Sequence, residues 1–193
     1  QLDCMHDFRE FVFNSEPIDK GNFGKVYLCD WKGERVAIKR IGVPKGYLKR
    51  TGKSFAQVVH EEIRIFSKLD NPHVMKLRGI TTDGSYLFLI MDYMANGNLK
   101  TRIQHTEFEN KELKKIAIDI VRGMMYLHNH KPCILHRDLH GGNILLDCDG
   151  NCKISDFGLS RALDANQGDK WYSVTKGHMG YMPPESLVNS HRG

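Results

Sequence analysis

Asp138 and Asn143 stand in the stretch ILHRDLHGGNILLD (134–147), a polar run held between two apolar ones. A further carboxylate, Asp156, follows a short apolar segment in ISDFGLS (154–160). Carboxylate and amide oxygens are hard ligands, suited to Mg2+, which takes few protein groups and shares its coordination with phosphates. A separate carboxylate could orient a hydroxyl nucleophile. Lys39 places a cation inside the apolar strand VAIK (36–39), where an unpaired charge costs several kcal/mol, so an anion must meet it. Glu61 and Glu62 offer such an anion, and Glu62 is the better placed, with Ile63, Phe66 and Leu69 following at helical spacing. Gly21 and Gly24, in IDKGNFGKVY (18–27), allow a turn whose backbone N–H groups can approach an anion. Each feature alone has an ordinary explanation: a hairpin turn, a solvated glutamate, a loop aspartate.

These residues need elements to hold them. VYLCDW (26–31) and RVAIKRI (35–41) flank Lys32-Gly33 and predict a hairpin. SYLFLIMDY (85–93) has the length and apolarity of another strand. SFAQVVHEEIRIFSKL (54–69) carries apolar residues at helical spacing, with Ser54 as its N-cap. NKELKKIAIDIVRGMMYLHNH (110–130) predicts a longer helix with Leu113, Ile116, Ala117, Ile120, Val121, Met124 and Leu127 on one stripe. ILL (144–146) and CKIS (152–155) read as two short strands joined by DCDGN. Strands, one helix, more strands and then helices give an α+β chain of two lobes, with ANGNL (95–99) as the joint.

Composition narrows the class. The 193 residues are 40% hydrophobic and 26% charged, which fits a folded globular chain rather than a disordered one. No apolar run approaches the roughly 20 residues of a membrane span, and the N-terminus lacks a basic-then-apolar leader pattern. The five cysteines are an odd count, which argues against a disulfide framework and for a reducing compartment. Cys148 and Cys152 lack a second pair at zinc spacing and mark a turn instead. The net charge of +5 owes part to KGYLKRTGK (45–53), read as a solvated loop and not a nucleic-acid site, since no aromatic ladder accompanies it.

Taken in order, the glycine loop, VAIK, the helix glutamate, HRDLHGGN, DFG and PPE resemble a eukaryotic protein kinase domain over essentially the whole chain. DFGLSR and GYMPPE are most similar to the tyrosine-kinase-like serine/threonine branch. The resemblance implies a two-lobed fold: an N-lobe and hinge over 1–94, built on an antiparallel sheet plus one helix, and a partial, mainly helical C-lobe over 95–193. It implies further helices after Glu185, one supplying an Arg partner for that glutamate, so the chain reads as a C-terminally truncated and marginally stable domain.

It also implies roles. Gly21, Asn22, Phe23 and Gly24 would cover the phosphates of ATP. Val26 and Ala37 would line the adenine site from above and Leu145 from below, with Met91 as gatekeeper and Asp92 to Met94 as hinge. Lys39 would hold the α- and β-phosphates and pair with Glu62, Asp138 would be the base, and Asn143 and Asp156 would hold Mg2+. Phe66, Leu77, His136 and Phe157 would form a hydrophobic spine. Arg137 would receive a phosphate placed by an upstream kinase on Tyr172, Ser173 or Thr175. The expected partner is a protein substrate, with no nucleic acid, in the cytoplasm.

Three positions depart from the family pattern. Asp19 replaces the first glycine of the loop. His140 stands two residues after Asp138, where serine/threonine kinases usually carry Lys. Gly177-His178 replaces the usual Gly-Thr. The last two leave serine/threonine against tyrosine or dual specificity open. All three supply the argument for a different class, a nucleotide-binding pseudokinase or signalling scaffold. A small-molecule kinase is disfavoured by the PPE-type segment.

Overall fold

Lys32 and Gly33 both adopt positive φ, 53° and 82°, which a two-residue hairpin turn needs to match the twist of its strands. They join β3 (Gly24–Trp31) to β4 (Glu34–Gly42), and Trp31 pairs with Glu34 across the turn, as the sequence predicts. The protein is described from a computed structural model covering residues 6–13, 16–21, 24–42, 63, 66–83, 86–131, 133–136 and 138–156. It divides into two compact units: Gln1–Asp70 with Met75–Met94, and Asn71–Val74 with Ala95–Gly193.

The first unit is an antiparallel sheet. β1 (Val12–Phe13) and β2 (Asp19–Gly21) both pair with β3; β4 pairs with β3 and with β6 (Tyr86–Asp92); β5 (Leu77–Thr82) closes the edge on β6. Because side chains alternate, register sorts them between two faces. Cys29, Val36, Ile38 and Ile90 fall on one face with Trp31 and Phe88, all buried. That face is covered by the N-terminal segment. A 3-10 turn at Phe8–Glu10, capped by the Asp7 side chain, delivers Phe8, Phe11 and Phe13 onto it. Phe11 stacks on Trp31 with ring centroids 5.5 Å apart, and His6 meets the same indole edge-on at 4.8 Å. The indole Nε1–H donates to Glu10 Oε2 at 3.1 Å, and this bond holds the Glu10 carboxyl below its ordinary range. Of the helix expected over 54–69, Ile63 and Phe66 are helical and buried, while Leu69 is buried but lies beyond a turn that ends the helix at Phe66; Ser54, Glu61, Glu62 and the basic run 45–53 lie outside the described residues.

The second unit joins two helices to a hairpin. Asn98 caps α1 (Leu99–His105) by accepting from the Thr101 N–H. α2 (Asn110–Asn129) opens on a reciprocal capping box between Glu109 and Glu112. β7 (Ile144–Leu146) and β8 (Cys152–Ile154) pair across a turn knotted by Asp147, whose side chain accepts from the Asp149 and Asn151 amides and the Asn151 side chain. Burial alone pushes the Asp147 carboxyl up, but these donors outweigh it and hold it below its ordinary range. The segment Asn71–Val74 is tied here by the Ile154 N–H, which donates to the His73 carbonyl, and by a parallel bridge between Val74 and Ile154.

The α2 stripe differs from the one its hydrophobicity predicts. Ile116 and Leu127 are buried, but the other residues on the buried line are Asp119 and Gly123, while Leu113 and Val121 are 44% and 56% exposed. The reason is chemical. Asp119 accepts in place from Lys115 Nζ at 3.3 Å and from the Cys152 N–H at 3.4 Å, and its other oxygen lies 3.4 Å from His73 Nδ1. Burial and the Asp119 charge push the neighbouring Cys152 thiol up to about 11. Gly123 lets the helix close on its neighbours: a Cβ there would lie 2.7 Å from the His73 carbonyl oxygen and 2.8 Å from Ile154 Cδ1. Gly123→Ala, which would normally favour a helix by about 1 kcal/mol, is therefore expected to destabilise the protein by about 1–3 kcal/mol through overpacking. A urea midpoint at or above that of the parent would refute this.

Candidate functional site

Each unit carries part of the predicted set. In the first, register places Val26 opposite Lys39, Lys39 opposite Leu89, and Ala37 opposite Met91. Val26, Ala37, Lys39 and Met91 thus share the sheet face opposite the aromatic cover. Ala37 and Met91 are each 8% exposed and Lys39 is 5% exposed. Asp92 pairs with Val36 and so turns its side chain to the other face, while Met94 is buried. The glycine hairpin closes with Gly21 paired to Gly24. Gly24 has φ +135°, and a Cβ there would overlap the Arg40 carbonyl oxygen, so only glycine fits. Asp19 lies in the ladder opposite Val26, with its side chain exposed. Asn22, Phe23 and Glu62 lie outside the described residues.

In the second unit the loop before β7 alternates. Ile134 is buried and its N–H donates to the Leu127 carbonyl; Leu135, expected to help hold the loop, is 47% exposed; His136 is 3% exposed. The extended backbone turns every second side chain outward, so His136 does the anchoring expected of Leu135. Its Nδ1 accepts the Asp138 N–H at 3.2 Å, so Nε2 carries the proton and donates to the Ser155 carbonyl at 2.9 Å. Asn143 then crosses the loop. Its Nδ2 donates to the Asp138 carbonyl at 2.8 Å and lies 3.4 Å from Asp138 Oδ2, while its own carbonyl accepts from both the N–H and the hydroxyl of Ser155. The donor end of the amide is thereby committed, and Oδ1 is the end that takes no part in these bonds. Leu145 is half-buried and alternates with buried Ile144 and Leu146. Asp156 follows with φ +61°, a left-handed conformation uncommon for a non-glycine residue. Arg137 and Phe157, like Tyr172, Ser173, Thr175, His178 and Glu185, lie outside the described residues.

The sequence reading missed Ser155, whose two donors fix Asn143. Nothing in ISDFG marks that serine, because its partner is twelve positions earlier in the chain.

Burial lowers the His136 imidazole below its ordinary value of 6.5, against the opposing pull of the Ser155 carbonyl and Asp138. A proton on Nδ1 would break the bond from Asp138. Stability is expected to hold above pH 6.5 and to decline as pH falls below it, since the unfolded chain takes up a proton that the folded loop refuses. Urea midpoints compared at about pH 7.5 and about pH 5.5 should show a smaller acid loss in His136→Gln. An equal loss in both proteins would exclude His136 as its source.

The family profile of the protein kinase domain matches residues 13–193. The chain belongs to the protein kinase family, whose members are transferases that use ATP and Mg2+ and act on proteins. It is 36% identical to the probable serine/threonine-protein kinase PBL28 of Arabidopsis thaliana over 87% of the chain and 46% of that protein. It is 34% identical to the serine/threonine-protein kinase BCK1/SLK1/SSP31 of Saccharomyces cerevisiae over 97% of the chain and 13% of that protein. A G-type lectin S-receptor-like serine/threonine-protein kinase, SD1-1 of Arabidopsis thaliana, is 34% identical over 90% of the chain and 21% of its own length. The chain thus spans less than half of each of these relatives. Among the described residues no helix is long and apolar enough to cross a membrane.

Proposed function

We propose that the protein transfers the γ-phosphate of ATP to a serine or threonine hydroxyl of a protein substrate. The observation that carries this reading is the locked loop: Asp138 held by the His136 ring and by Asn143, with Asn143 held in turn by Ser155. In this reading Asp138 accepts the hydroxyl proton as the substrate oxygen bonds to the γ-phosphorus. The bond from that phosphorus to the bridging oxygen breaks, and ADP leaves. Lys39 holds the α- and β-phosphates and pairs with Glu62. Gly21 to Gly24 cover the triphosphate, Val26, Ala37, Met91 and Leu145 line the base, and the backbone of Asp92 and Met94 meets its edge. Asn143, through Oδ1, and Asp156 are hard oxygen donors that fit Mg2+. When bound, that ion neutralises charge on the phosphates. The similarity to named serine/threonine kinases supports the choice of hydroxyl.

The same reading assigns Arg137 as receiver of a phosphate that an upstream kinase places on Tyr172, Ser173 or Thr175, and puts the domain in the cytoplasm, where ATP and Mg2+ are at hand. The test is incubation of the full-length protein with γ-labelled ATP, Mg2+ and a mixed casein and histone substrate, followed by phosphoamino-acid analysis. Label on serine or threonine that is absent with Asp138→Asn is the expected result. Label on tyrosine would overturn the hydroxyl assignment. Nucleotide binding without label would replace the enzyme by a scaffold.

A further inference from the structure

His140 has no role in the reading above, yet its ring is held by a hydrogen bond and largely buried. Its Nδ1 accepts the Gly142 N–H at 3.0 Å. The neutral ring must therefore carry its proton on Nε2, and Nε2 lies 3.6 Å from Asp138 Oδ2. The side chains of His140 and Asp138 are each only 12% exposed. Asn143 Nδ2 faces the same oxygen at 3.4 Å. Two N–H donors thus converge on Oδ2 from opposite ends of the HGGN turn. The Asn143 contact is a long hydrogen bond and the His140 contact lies just beyond that range.

A second observation concerns Gly142. A Cβ at this position would lie 2.7 Å from His140 Cε1 and 2.9 Å from His140 Nδ1, its two contacts within 4 Å among the described residues. Position 142 is therefore small to accommodate the His140 ring where it lies. Ring and glycine are fitted to one another, and the fit leaves the imidazole Nε2 3.6 Å from Oδ2 of the proposed base.

We propose that His140 is a positioning residue for Asp138: with Asn143, it holds Oδ2 and so sets the orientation in which the carboxylate meets the substrate hydroxyl. The inference rests on the reading of Asp138 as the base. His140 acts through Asp138 and makes no contact with nucleotide in this scheme, so its loss is felt in turnover and not in ATP affinity.

The experiment uses the full-length protein with γ-labelled ATP, Mg2+ and the casein and histone mixture. His140→Asn separates turn from positioning: Asn keeps a side-chain oxygen that can accept the Gly142 N–H, but its amide is too short to reach Asp138. The expected result is a fall in kcat on the order of tenfold or more with KM for ATP unchanged. Gly142→Ala, which pushes the ring away, is expected to lower kcat by a similar factor in the parent and to add little in the His140→Ala background. Parent-like kcat in His140→Asn, or fully additive losses in the His140→Ala and Gly142→Ala pair, would overturn the proposal and reduce His140 to a turn residue. Asp138→Asn in the same assay separates the two claims. If Asp138→Asn is inactive while His140→Asn is not impaired, the base stands and the positioning role falls. If Asp138→Asn keeps its turnover, both fall.

Discussion

Asp138→Asn is expected to lower phosphoryl transfer on the order of a thousandfold while leaving ATP binding intact. The substitution is nearly isosteric, so the loop has little reason to move. The contacts that hold it run to the Asp138 backbone: its N–H to His136 Nδ1 and its carbonyl to Asn143 Nδ2. These survive a change at the carboxylate, and Asn143 keeps its own anchors on Ser155. What is lost, on the proposed mechanism, is the ability to take a proton as the hydroxyl attacks. The measurement is a pair of titrations, initial rate against ATP and nucleotide binding by calorimetry. A variant that binds ATP like the parent and transfers no phosphate is the expected outcome. One that transfers phosphate at a parent-like rate would remove Asp138 from the chemistry, and one that fails to bind would mean that the loop had collapsed.

Trp31→Ala is expected to cost about 3–5 kcal/mol, the usual range for removing a large buried aromatic. Trp31 is 7% exposed and gathers the N-terminal segment onto the sheet through Phe11, His6 and Glu10. Arg78 and Lys32 lie against the same ring, at 5.3 and 5.0 Å from its centroid. Removal opens a cavity in the cluster that Trp31 shares with Cys29, Val36, Ile38 and Ile90 and breaks the indole's bond to Glu10. Urea unfolding should show a lower midpoint with little change in slope. A Trp31→Phe variant should recover much of the loss, because it restores stacking on Phe11 without the bond to Glu10. A loss below about 1 kcal/mol in Trp31→Ala would mean that the aromatic cover does not support the sheet.

The β3–β4 hairpin was legible because its alternation and its Lys32-Gly33 turn are local. The same holds for the extent of α2, predicted over 110–130 and observed over Asn110–Asn129. The buried side of α2 was not legible: Asp119 and Gly123 lie on it because of what His73, Lys115 and Ile154 offer them, and a hydrophobic pattern carries no such information. The N-terminal segment with its three phenylalanines also escaped, since Trp31 and Phe88 are distant in the chain, and so did β5, whose burial does not alternate and whose pairing shifts register between Leu77 and Gly79. At the candidate site, Asp138, Asn143 and Asp156 stand out in the sequence by motif order. The hydrogen bonds that orient them do not, because Ser155 and His136 meet only after folding.

The pairing of β4 with β6 has a kinetic side. β3 and β4 meet through a two-residue turn, and β5 and β6 are likewise neighbours in sequence. The contact that joins these two local ribbons sets Val36 against Asp92 and Gly42 against Tyr86, so closing it draws together positions roughly fifty residues apart and spends chain entropy before any contact repays it. Closing the ladder that carries Lys39 and Met91 is thus expected to come late in assembling the first unit, and substitutions along β4 that weaken this seam are expected to slow refolding in stopped-flow measurements more than changes at the Lys32-Gly33 turn.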